Sequence, residues 1–275
     1  MSRNIDELKI QANTIRKDIL KMICNIQSGH LGGSFSMVEV LTALYFDEMH
    51  YDPENPYLKD RDRFVLSKGH TAPALYATLA NAGYFPKEKL MTSFRRIDSM
   101  MQGHPDMKKT PGVEMTSGSL GIGLSAANGM VLGNRYQGID ARVYCMIGDG
   151  EINEGQIWEA AATASHYHLD NLVAFTDVNG LQNDAETKKV KDMLDIAAKW
   201  KAFGFNTIEI NGHDFSEIFA ALDAARNCKG MPTAVISHTI KGKGVSFMEN
   251  VVAFHGKTPT KEEYEHGMAE LENAI

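Results

Sequence analysis

Two oxygen-bearing side chains stand thirty positions apart, each just past the end of an apolar run. Asp149 lies in Gly-Asp-Gly after segment 142–147, and Asn179 lies in Asp-Val-Asn-Gly after segment 172–176. A carboxylate and an amide oxygen that converge suit a hard cation. Magnesium takes about six oxygens near 2.0–2.1 Å and often draws some of them from phosphates. Gly148 and Gly150 admit a diphosphate at close range, and a helix starting at 152–154 would turn free N–H groups toward it. Either short motif alone reads as an ordinary turn. Joined by Asn153-Glu154-Gly155, an apolar helix and the run Asn171–Phe175, they form a specific pattern.

For Asp149 and Asn179 to meet, their strands must run parallel, and a right-handed helical crossover provides that. Strands are expected at 142–147, 172–176, 206–210 and 233–238, and helices at 153–168, 190–203 and 215–227. This alternation predicts an α/β fold with a doubly wound, mainly parallel sheet and helices on both faces. Ligands of such sheets gather beyond the carboxyl ends of the strands, where Asp149 and Asn179 fall.

Upstream, apolar residues recur at helical spacing from Leu8 to Ile26, predicting an amphipathic helix over 5–27 that Gly29 ends. A glycine-rich loop follows at 29–36. Ser36 then reads as the N-cap of the next helix, with Glu39 completing a capping box. A short strand is expected at 63–67, a helix near 71–83, an irregular polar stretch at 95–119 and a helix over 121–136. After Val251 come a loop and a short charged helix. With no internal repeat or linker in view, the expectation is one domain over 1–275.

Four of the ten histidines, His30, His70, His104 and His255, neighbour a glycine in an expected loop. That context exposes the ring and lets a ligand approach the backbone. His213 reads as structural. His166 and His168, two apart, point to different helix faces and make poor joint ligands. No HExxH or zinc-type cysteine set occurs. A net charge of −7 weighs against nucleic acid as a partner. Three scattered cysteines without a CxxC suit a reducing compartment and buried thiols. With no signal segment or membrane-length apolar run in view, the expectation is a cytoplasmic protein without membrane contact.

The stretch from Gly148 to Asn179 resembles the thiamine diphosphate motif. The surrounding segments resemble the transketolase family in order along the chain: SGHLGGSFSMVEVLTALYF (28–46), DRFVLSKGHTAPALYATLANAGYF (62–85), QGHPDMKKTPGVEMTSGSLGIGLSAANGMVLG (102–133), NGHDF (211–215) and TIKGKG (239–244). The resemblance implies that Asp149, Asn179 and the main-chain oxygen of Leu181 hold magnesium or calcium. It implies that Gly148 and Gly150 approach the cofactor diphosphate, and that His70 and the turn Gly118-Ser119-Leu120 line the cofactor. It places His30, His104 and His255 against substrate or diphosphate, Lys241 near phosphate, and Glu154 with Glu159 in an acidic link between sites across a subunit interface.

The activity implied is transfer of a two-carbon ketol unit from a ketose to an aldose, as sugar phosphates. The family's catalytic glutamate and usual phosphate-binding arginines lie on further domains. The expectation is therefore one subunit of a split transketolase, inactive alone and active with a separate C-terminal subunit, in a two-plus-two heterotetramer. Leu31, where many transketolases have proline, and Gln182–Thr187 depart from the common pattern and leave substrate choice open, branched or sulfonated sugars included. Competing readings are another thiamine diphosphate enzyme, such as an E1-type 2-oxoacid dehydrogenase subunit, and a non-catalytic cofactor-binding scaffold.

Overall fold

The computed structural model describes residues 3–274. Its sheet has five strands: β1 Arg63–Leu66, β2 Val143–Gly148, β3 Leu172–Val178, β4 Asn206–Asn211 and β5 Thr233–His238. The order is β1-β2-β3-β5-β4 and every pairing is parallel. β2 and β3 are neighbours in a register that pairs Gly148 with Asp177. The two expected oxygen donors therefore leave adjacent strand ends.

The period-two alternation of strand side chains divides the core. Tyr144, Met146, Val173 and Phe175 face one layer, which contains α1 Ile5–Ile26, α3 Val38–Ala43, α4 Ala72–Asn81, α5 Glu88–Ser93 and α10 Phe215–Asn227. Val143, Cys145, Ile147, Leu172 and Ala174 face the other, with α6 Gly123–Tyr136, α7 Gly155–His166 and α9 Ile196–Ala202. Helices on both faces of a parallel sheet confirm the expected fold class. Among the described residues, no helix is long and apolar enough to cross a membrane.

Several boundaries differ from expectation, each for a local reason. Gln27, in left-handed conformation, caps α1, and its N–H donates to the Ile23 carbonyl. Gly29 is needed two residues later: at φ +149°, an added Cβ would sit 2.9 Å from the Ile23 side chain. The glycine-rich loop is partly helical, with α2 at Gly32–Phe35. Ser36 is in helical conformation and is not an N-cap; Met37 takes that position without a side-chain bond. Glu39 bonds Arg16 and His213 instead of a helix end. The capping box lies at α11 Lys261–Asn273, between Thr260 and Glu263.

The helix expected at 190–203 is broken. α8, Thr187–Lys191, stops before Leu194, which is left-handed at φ 53°, and Asp195 restarts α9 by accepting from Ala198 N–H. A single 3-10 turn, Glu151–Asn153, precedes α7, which begins only at Gly155. Cys145 is buried, but Cys24 and Cys228 are only partly so.

Candidate active site

A cavity of about 350 Å³ opens at the carboxyl ends of β2 and β3. Its wall includes His70, His104, Gly118, Leu120, Gly148, Asp149, Gly150, Asn179, Leu181, Lys241 and His255. Most residues singled out from the sequence thus meet in one place. Ser119, which is exposed, and His30, expected against substrate, do not line it. Glu154 and Glu159 are also exposed, on the outside of α7 and its approach.

Asp149 is buried and its carboxylate is oriented by the backbone: Gly150 N–H donates to Oδ1 at 2.8 Å and Gly180 N–H to Oδ2 at 2.7 Å. Burial pushes its pKa up to about 6, with Asp177 nearby adding to the rise. Such a carboxylate gains from a cation beside it. Asn179 donates from Nδ2 to Asp177 at 3.1 Å, which turns its Oδ1 the other way, toward Leu181 N–H at 3.2 Å. The Leu181 carbonyl accepts from the Lys241 ammonium at 3.1 Å, so a positive group already rests against that oxygen. Among the described residues, no three His, Cys, Asp or Glu side chains gather as a metal site. A carboxylate, an amide oxygen and a carbonyl remain: an all-oxygen set suited to a hard cation and not to zinc.

The helix-start amides do not play the expected part. Asn153 and Glu154 N–H donate to the Gly150 and Glu151 carbonyls inside the 3-10 turn. The backbone that lines the cavity is Gly148–Gly150. An added Cβ on Gly150 would come within 3.0 Å of the Gln182 side chain and force it to shift, whereas one on Gly118 would meet the His104 ring at an ordinary 3.6 Å.

Three imidazoles form a cluster. His30 meets His70 and His255 edge-on, with centroids 5.2 Å away in each case, and His70 stacks on His255 at 5.3 Å. Burial pushes the pKa of His30 and of His255 down to about 4, and cationic neighbours push the same way; His70 is also lowered by burial. All three are neutral at neutral pH. Lys241 Nζ stands 2.9 Å from His255 Nδ1. The ammonium is the donor there, which leaves the ring proton on Nε2. Burial lowers the Lys241 pKa to about 8, so it is charged for most of its time near pH 7. His30 Nδ1 is buried and has no partner.

Two further buried carboxylates at this end of the sheet lie within the motif stretch from Gly148 to Asn179 without standing out in it. Asp177, at the end of β3, takes an ion pair from Lys68 and hydrogen bonds from Ser36 and Thr239. Burial pushes its carboxyl up, but Lys68 and these donors outweigh that and hold it below the usual range. Glu151 accepts from Gly121 N–H at 2.7 Å, Gly148 N–H at 3.0 Å and Ser67 Oγ, tying the Gly118–Gly121 turn to the end of β2. The available hint was a charged residue ending an apolar strand: burial there demands a partner. His213 is structural, as expected. Ile240 N–H donates to its Nε2 at 2.8 Å, so its Nδ1–H faces Glu39 at 2.9 Å.

Comparison with known proteins agrees with this geometry. The family "Transketolase, thiamine diphosphate binding domain" matches residues 8–271. A 6-deoxy-6-sulfo-D-fructose transketolase subunit of Clostridium sp. (strain MSTE9) is 47% identical over 99% of this chain and 98% of its own length. An apulose-4-phosphate transketolase subunit of Phocaeicola vulgatus is 39% identical over 98% and 96%. Mouse transketolase is 40% identical, and the match covers 99% of this chain but 43% of that protein. Among solved structures, Campylobacter jejuni transketolase superposes with a TM-score of 0.92 at 30% identity, over 98% of this chain and 43% of that one. The chain belongs to the transketolase family, as a transferase subunit of the length of its thiamine diphosphate-binding domain.

Proposed function

We propose that this chain is the diphosphate-binding subunit of a two-subunit transketolase, moving a two-carbon ketol unit from a ketose to an aldose. The observation that carries the reading is the gathering of the Asp149, Asn179 and Leu181 oxygens, the Lys241 ammonium and the neutral His70 and His255 rings around one cavity, with His30 packed against both rings. Thiamine diphosphate, when bound, supplies a ring that can hold the electron pair freed as a carbon–carbon bond breaks. The residues present fit it. The oxygen set suits magnesium or calcium, Lys241 offers positive charge to phosphate, and Gly150 leaves the backbone open to close approach.

The roles of the chain's own groups follow. Asp149 and Asn179 would hold the cation, with the Leu181 carbonyl beside them and Lys241 supplying positive charge for phosphate. Gly118 and Leu120 would form a wall against the cofactor, beside His70. His255, with its proton on Nε2, donates to a sugar oxygen. The exposed His104 offers a second contact at the cavity wall, while His30 packs edge-on against both His70 and His255. Neutral imidazoles both donate and accept, so they follow protons between hydroxyl and carbonyl oxygens without adding fixed charge.

A second subunit supplies the remaining groups, the catalytic glutamate above all. Support comes from the two relatives that are named as subunits and are matched along their whole length. We place the exposed Glu154 and Glu159 at the resulting interface, in a two-plus-two heterotetramer. The single-domain reading of 1–275, the cytoplasmic location and the absence of nucleic-acid or membrane partners belong to the same proposal. The two relatives are named for 6-deoxy-6-sulfo-D-fructose and for apulose 4-phosphate, which favours an unusual ketose over the common pentose phosphates.

The test is ketol transfer by the chain alone and with its partner, given thiamine diphosphate and magnesium. Activity only in the pair is expected. Strong turnover by the lone chain would refute the two-subunit reading, and turnover of pyruvate in place of ketose would move the enzyme to the E1 type.

A further inference from the structure

Lys241 is a buried cation without a fixed acid. The residue is 2% exposed, and among the described residues it makes no ion pair; its ammonium rests on the Leu181 carbonyl at 3.1 Å and on His255 Nδ1 at 2.9 Å. A charge in that state is unfavourable until a partner arrives, and a flexible four-carbon stem lets it turn away. Its main chain is what holds it at the cavity. Asn250 N–H donates to the Lys241 carbonyl at 2.9 Å, Gly242 N–H donates to the Gly32 carbonyl at 3.0 Å, and Ile240 N–H donates to His213 Nε2 at 2.8 Å. Gly32 also makes room for the stem, since a Cβ there would fall 2.8 Å from Lys241 Cγ. Of these main-chain holds, the one on Ile240 depends on a side chain.

That side chain is set to accept. A neutral imidazole has one donor and one acceptor nitrogen, and its partners decide which is which. An amide N–H on Nε2 puts the His213 proton on Nδ1, where Glu39 takes it at 2.9 Å. Glu39 is itself fixed by Arg16 at 2.7 Å. Burial pushes the Glu39 carboxyl up, but Arg16 and His213 outweigh that and hold it below the usual range, so it stays an acceptor near neutral pH. The base of the ring is equally firm. His213 N–H donates to Asn211 Oδ1 at 3.1 Å, and Asp214 caps α10 by accepting from Ser216 N–H at 2.7 Å. Arg16, Glu39 and His213 thus join α1, α3 and the turn between β4 and α10 to the segment that carries Lys241. None of the three lines the cavity.

We propose that the Glu39–His213 pair braces Lys241 for the diphosphate of the cofactor, with His213 as a positioning residue that acts through the Ile240 N–H. With the brace in place the ammonium already stands at the cavity, and little ordering remains to be done when the anion binds. This assignment rests on the transketolase reading, which supplies the ligand.

The experiment measures thiamine diphosphate binding at saturating magnesium by isothermal titration calorimetry. It uses the complex of this chain with its partner subunit, well below the melting midpoint of every variant. Lys241→Met should raise Kd roughly 10- to 100-fold through loss of a charge-assisted contact. His213→Leu, which cannot accept from Ile240, should raise it about 5- to 30-fold. His213→Gln can accept at Oε1 and donate from its amide nitrogen to Glu39, and should stay within about threefold of wild type. Glu39→Gln keeps the volume but turns an amide N–H on either Arg16 or His213, and should raise Kd about 3- to 10-fold. In the Lys241→Met background His213→Leu should add less than about twofold, because residues that act as a unit are not additive. A group that served stability alone would lower the melting temperature and leave Kd where it is. Unchanged Kd in His213→Leu or in Glu39→Gln, equal losses in His213→Leu and His213→Gln, or losses that multiply in the double variant would overturn the assignment. Failure of the wild-type complex to bind thiamine diphosphate would instead bring down the transketolase reading itself.

Discussion

Replacing Lys68 by methionine tests whether the charge beneath the cavity holds the fold together. The Lys68 and Asp177 side chains are 3% and 1% exposed, so water cannot take over from either partner. Removing one member of a buried pair typically destabilises by about 3–5 kcal/mol. Ser36, Thr239 and Asn179 still donate to Asp177 in the variant, which favours the lower half of that range. Lys68 also donates to the Gly33 carbonyl at 3.1 Å, and that bond goes as well. At about 2–4 °C per kcal/mol for a chain of this size, melting should fall by roughly 6–20 °C. Thermal unfolding followed by circular dichroism reads this directly. The double variant Lys68→Met with Asp177→Asn should regain most of the loss, because the stranded charge is gone. If Lys68→Met melts within about 2 °C of wild type, or the double variant melts no higher than the single one, the reasoning about an uncompensated charge is wrong.

Other outcomes follow from the same contacts. Thiamine diphosphate with magnesium at about 100 times its Kd should stabilise the protein by about 2.7 kcal/mol; Asp149→Asn should abolish that thermal shift, and chelation by EDTA should reverse it in the wild type. His30 and His255 titrate near 4 when folded and near 6.5 when unfolded, so the unfolded chain binds protons first as pH falls. Stability should therefore drop between about pH 6.5 and 4, and His30→Gln with His255→Gln should flatten melting temperature against pH over that window. Thr260→Ala removes the cap of α11, away from the cavity; it should destabilise by about 1 kcal/mol in chemical denaturation and leave ketol transfer unchanged.

Parallel strands and the donors at their ends are readable from the sequence because apolar runs and glycine turns are local signals. Asp149, Asn179 and the four glycine-flanked histidines can be singled out on that basis. What stays hidden depends on contacts between distant segments. Ser36 looks like a helix cap in its own neighbourhood, but its hydroxyl is 141 residues from the Asp177 carboxylate it donates to. Glu39 looks like the other half of that cap and is instead held by Arg16 and His213. The break between α8 and α9 is masked because the apolar spacing runs on through Leu194, while Asp192 and Asp195 bond nearby backbone N–H groups and divide the helix.

The sheet ends on β1 and β4, each paired on one side only. β1 is four residues long and opens on Arg63, and β4 carries the exposed Glu209 in its middle. Short or charged outer strands make poor templates for another chain to continue. Recruitment of a second polypeptide must then proceed by side-chain fit between helices and loops, a surface that can be redesigned residue by residue. It also means that crowding many copies together during synthesis should favour correct pairing over fibrous stacking.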